Sequence, residues 1–105
     1  MNLPDQTNKW AVIIARMCLR DHQFLQCGRQ YQVTREFVDY DKCVHPSGER
    51  WVFIGSSFVP YEDGMSFFVS FDDVHESQIR LQWRPEAQAE ILDKLSEYIA
   101  VAPAG

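Results

Sequence analysis

Paired cysteines, long apolar runs and positive charge are all scarce in this chain. Cys18, Cys27 and Cys43 are odd in number and share no repeated spacing, which argues against the disulfide framework of a small secreted domain. The longest apolar run, WAVIIARMCL, is interrupted by Arg16 and falls well short of the roughly 20 residues a membrane span requires. No small-residue cleavage site follows it, so no signal peptide is expected and the cytoplasm is the default location. Lys and Arg number 10 against 15 Asp and Glu, a net charge of -5. That balance disfavours attraction to nucleic acid or to an anionic membrane surface. Internal repeats and low-complexity segments are also missing.

What is present suits one folded domain. A hydrophobic fraction of 46% with 13% aromatics, in 105 residues, supplies one modest core and leaves no material for a second domain. The charge is unevenly spread. Residues 1–30 carry four bases against two acids, residues 31–76 three against nine, and residues 77–105 three against four. The acid therefore belongs to the middle of the chain. A solvated face is the ordinary meaning of such a run.

Hydrophobic spacing divides the chain into three parts. Over residues 8–22, Trp10, Ile13, Ile14, Met17 and Cys18 follow the i, i+3, i+4, i+7, i+8 rule of an amphipathic helix, with Gly28 available as a left-handed stop beyond it. Residues 28–84 read as strands. RQYQVTREFVDYD is rich in β-branched and aromatic residues, and HPSGE makes a turn. RWVFIGSSFV carries a Gly55 that suggests a bulge, and PYEDG is a hairpin loop with Gly64 suited to positive φ. In MSFFVSF, the residues Met65, Phe67, Val69 and Phe71 share one face, with Phe68 on the other. In SQIRLQWR, Ile79, Leu81 and Trp83 point inward. Trp51 and Trp83 are both expected to be buried. Residues 85–100 read as a closing helix that starts at Pro85, with Ala87, Ile91, Leu92, Leu95 and Ile99 as its stripe. Connections of hairpin length force neighbouring strands to run antiparallel. The expected class is α+β: a small, strongly bent antiparallel sheet or SH3-like barrel of four to five strands, with an N-terminal and a C-terminal helix.

The segments GRQYQV, FVDYD, HPSGERWVFIG, FVPYEDGMSFFV and IRLQWRPE, taken in order, resemble a bacterial family known as domain of unknown function thirty-six-oh-one. The resemblance runs from about residue 28 to about residue 98 and leaves the first helix outside. It implies one compact domain and brings no catalytic residue or cofactor with it.

Chemistry-bearing residues have plain structural alternatives. Cys18 and His22 would share a helical face and could hold a metal with Cys27. Zinc still lacks a fourth ligand unless Cys43 or His45 supplies it, and free cysteines on apolar faces are usually core residues. Cys43 and His45 would share a strand face as a nucleophile and base, but nothing marks an oxyanion hole or an orienting group. Glu62 with Asp63, and Asp72 with Asp73, are turn neighbours that look exposed, whereas acid–base work needs one shifted carboxyl. No metal, cofactor or catalytic residue is expected.

The aromatics remain. Phe58 and Tyr61 flank Pro60, and Phe68 stands between two serines. With Glu62, Asp63, Asp72 and Asp73 they make a candidate face for a basic protein partner; burial of the aromatics under the first helix is the competing account. The expected function is a non-catalytic protein-binding domain, such as an immunity or inhibitor protein that neutralises a basic toxin. The alternatives are an SH3-like adaptor that reads peptides and, less favoured by the charge, an RNA-binding barrel carrying Arg80 and Arg84 on one face. Oligomeric state is not legible.

Overall fold

The computed structural model describes residues 9–59 and 63–103. Among these, the order is α1 (Ala11–Arg16), β1 (Arg29–Val33), β2 (Phe37–Val38), β3 (Val44–His45), β4 (Arg50–Val59), β5 (Gly64–Ser70), β6 (Ser77–Gln82), α2 (Ala89–Asp93), α3 (Leu95–Tyr98) and β7 (Ile99–Val101). The class is α+β, and the sheet pairings are antiparallel, as the short connections require for β4–β5 and β5–β6.

The main sheet has the order β6-β5-β4-β1-β7, while β2 and β3 form a separate two-stranded ribbon. The sheet is open, and the SH3-like closure does not form. The physical reason lies in β4 and β5, which carry apolar side chains on both faces. Tyr31, Trp51, Phe53, Phe67, Val69, Ile79 and Leu81 line the inner face, where Leu25, Leu92, Leu95, Tyr98 and Ile99 cover them. Ile54, Val52 and Phe68 line the outer face, where Trp10, Leu19, Ile13 and Ile14 cover them. A sheet covered on both sides has no need to curl around its own core.

The helices are shorter than the periodicity implies. α1 is six residues long and stops before Cys18, which takes φ 54°. A helix this short has little stability of its own. The chain instead turns so that Leu19 is buried and Arg20 pairs with Ser56, donating and accepting backbone hydrogen bonds of 3.1 and 2.8 Å. The bulge expected at Gly55 is present: the β4–β5 register shifts between Phe53 and Gly55. The closing helix is also interrupted. Residues 84–88 form turns, Lys94 breaks the helix at φ −121°, and residues 99–101 leave it to pair with β1, Ile99 opposite Val33. Leu92, Leu95 and Ile99 reach the core all the same.

Two strands end earlier than their alternation. β5 stops at Ser70, so Phe71 is 48% exposed, and β6 stops at Gln82, so Trp83 is 39% exposed. Trp51 is buried as expected. In the β4–β5 loop, Asp63 rather than Gly64 takes the positive φ.

Candidate functional site

At the loop end of the β4–β5 hairpin the inner face continues past its core. Phe58 lies opposite Met65 in the ladder, and Trp83 directly follows β6. Their rings meet edge to face, with centroids 6.4 Å apart and planes at 89°, and Phe58 is 43% exposed. Trp83 is held at both of its nitrogens. Its backbone N–H donates to the Asp63 carbonyl at 2.7 Å, and its indole N–H donates to Asp93 Oδ1 on α2 at 2.9 Å. Arg84 Nε donates to Asp63 Oδ2 at 3.1 Å, so that carboxylate is internally matched.

The residues singled out in the sequence do not form one surface. Asp63 and Phe58 sit at this end. Tyr61 and Glu62 lie outside the described residues. Phe68 is half-buried on the outer face against Trp10, Leu19 and Ile54, beneath α1. Asp72 and Asp73 sit beyond the far end of β5, a strand of seven residues and so roughly 20 Å long. There, Asp72 builds a turn. His75 Nδ1 lies 2.6 Å from Asp72 Oδ2, and the backbone N–H groups of His75 and Val74 donate to Oδ1, which holds this carboxyl well below the usual carboxylate range. Asp73 pairs with Lys9 at 3.0 Å.

Beside the aromatic pair, on the part of the outer face that α1 leaves uncovered, a groove of about 400 Å³ runs between Tyr40, Val59, Ser66, Arg80 and Arg84. Its charges are balanced. Arg80 donates to Asp41 through Nε at 3.0 Å and Nη2 at 2.5 Å, which lowers the Asp41 pKa, and its guanidinium lies over the Tyr40 ring.

One largely buried polar cluster was not anticipated from the sequence. His45 presents Nε2 to Asp39 Oδ2 at 2.8 Å and Nδ1 to Glu49 Oε1 at 2.7 Å, and its ring stacks on Phe37. Asp39 Oδ1 accepts the backbone N–H groups of Asp41 and Cys43. The cluster ties the β2–β3 ribbon and its loop together, and its donors and acceptors are directed at one another. Only the spacing of Asp39, His45 and Glu49 around a turn could have suggested it.

The cysteine–histidine pairings raised by the sequence are not formed. Cys18 follows the end of α1 instead of lying on it, and His22 sits in a separate turn bridged to Leu25. Burial, with the nearby Asp21 carboxylate, pushes the Cys27 thiol up to about 12, so it stays protonated. Cys43 precedes β3 and is exposed while His45 is buried. Among the described residues, no three His, Cys, Asp or Glu side chains converge as a metal site would need, and no helix is long and apolar enough to cross a membrane.

No curated protein matches this chain. A solved structure from the mobile metagenome of Vibrio cholerae, an integron cassette protein, is 39% identical to it with a TM-score of 0.78. The match covers 83% of this chain and 97% of that one. The family model spans residues 9–103, so α1 lies inside the shared domain and not outside it as the sequence motifs suggested. The chain thus belongs to the family described as domain of unknown function DUF3601.

Proposed function

We propose that this protein is a non-catalytic binding domain that docks a basic protein through the loop end of the β4–β5 hairpin. The specific form in view is an immunity or inhibitor protein that neutralises a basic toxin. One observation carries the reading. Phe58 and Trp83 form an ordered, half-exposed aromatic pair at a place where hairpin closure requires neither ring. The acidic excess of the chain supplies the long-range attraction for a cationic partner. Mutual pairing of Asp39, His45 and Glu49 is also in keeping with a binding role, because these side chains are committed to holding the fold.

The test is to co-express the chain with the product of the adjacent gene and analyse the mixture by size-exclusion chromatography and a growth assay. A complex that weakens with salt, together with restored growth where the neighbour alone is toxic, is the expected result. In a complex, Asp63→Lys should slow association and Phe58→Ala should hasten dissociation. A neighbour that forms no complex and is harmless without this chain would remove the immunity reading.

A further inference from the structure

We propose that Phe58 and Trp83 are two walls of a seat for one basic side chain, arginine or lysine, of the docking partner, and that Asp93 both fixes the Trp83 ring and supplies the countercharge. The inference rests on the binding-domain reading above and names the chemistry of its central contact.

Two aromatic planes at 89° with centroids 6.4 Å apart enclose a corner in which a cation can meet both π-faces within about 6 Å of each centroid. The corner is useful only if the rings hold still. Trp83 is fixed by its two hydrogen bonds, one to the hairpin loop and one to α2. Phe58 is fixed by its place in the β4–β5 ladder. A ring held in place before binding loses little freedom when the partner arrives.

The charge around the corner has the matching sign. Asp93 uses Oδ1 to accept the indole N–H, and its Oδ2 takes no partner among the described residues. The two cations that follow Trp83 and Asp93 in the chain are already engaged. Arg84 is paired with Asp63, and Lys94 lies 3.9 Å from Glu90. An incoming guanidinium or ammonium therefore meets two π-faces and one carboxylate with unused acceptor capacity.

The experiment uses the full chain labelled with nitrogen-15. A short oligo-arginine peptide is the probe, its oligo-citrulline counterpart is the uncharged isostere, and both are added up to millimolar concentration. The three tryptophans give three indole N–H signals. The expected result is a shift of the Trp83 indole with oligo-arginine, none with oligo-citrulline, and still signals for the buried Trp10 and Trp51. Phe58→Leu should weaken binding about tenfold. Asp93→Asn keeps an oxygen acceptor for the indole while removing the charge, so it should leave the Trp83 signal dispersed but reduce both affinity and salt dependence. Chemical-shift dispersion reports whether each variant is folded. If oligo-arginine shifts other signals but spares the Trp83 indole, or if both variants bind like the parent, the seat is refuted while a basic partner at another surface stands. If oligo-arginine shifts nothing, the seat and the basic-partner reading fall together.

Discussion

Gly55 stands directly against Leu19: a Cβ built on the glycine would lie 2.5 Å from Leu19 Cβ and 3.4 Å from Cys27 Sγ. The bulge in β4 brings the backbone up to the segment after α1, and hydrogen fits where a methyl does not. Gly55→Ala is expected to destabilise the fold by about 1–3 kcal/mol through this overlap. Urea unfolding measures it, and a shortened Leu19 side chain cannot rescue it because the clash is with Cβ. A midpoint equal to the parent's would mean that the α1 segment does not lie on β4 as described.

The clasp of Asp39, His45 and Glu49 should behave as a unit. His45→Ala leaves two carboxylates facing each other with the intervening proton donor gone, and a loss of about 3–5 kcal/mol is expected. Combining Asp39→Asn with His45→Ala should cost less than the sum of the single changes, since the charge left stranded by the first substitution is removed by the second. A double-mutant cycle in urea checks this; strict additivity would exclude the pairing.

Trp51 and Trp83 should differ sharply on truncation. Trp51→Ala empties the inner face and is expected to cost about 3–5 kcal/mol. Trp83→Ala removes a half-exposed ring and one hydrogen bond, with an expected cost of about 1–2 kcal/mol. Thermal unfolding of the two variants side by side compares them. Equal losses would place Trp83 in the core.

Stability should fall as the solution is made acid through the titration of His22. Burial against Phe67 disfavours the charged ring, so the folded-state pKa lies below the ordinary 6.5. The unfolded chain then takes up the proton first as pH drops through 6.5, and the folded state loses ground below that point while gaining nothing above it. The ring is only half-buried, so solvent screening keeps the effect small. Comparing urea midpoints of the parent and His22→Leu from about pH 8 to about pH 5 isolates this contribution. Identical acid slopes in the two proteins would contradict it.

Much of the sheet was legible because strand signals are local. Alternation at Ile79 and Leu81, and at Met65, Phe67 and Val69, sorted inner from outer side chains correctly. Gly48 and Gly28 occupy positive φ. The candidate site was half legible: Phe58 stood out as an aromatic beside a loop, but its neighbour Trp83 read as core because alternation alone does not say where a strand stops.

The chain's own sequence determined the antiparallel β4–β5 and β5–β6 pairs, the bulge and most of the residues that fill the core, since each follows from side-chain period and connection length. Tertiary structure decided the rest. Ile99 ends a helical stripe in sequence, yet the free edge of β1 draws residues 99–101 into a strand. Asp93 reads as an ordinary helical carboxylate, and it becomes the anchor of Trp83 only where α2 packs beside the end of β6. The clasp at His45 likewise exists only once a turn brings Asp39 and Glu49 to opposite sides of one ring. Such pairings depend on which distant group occupies a given space, and no local period encodes that.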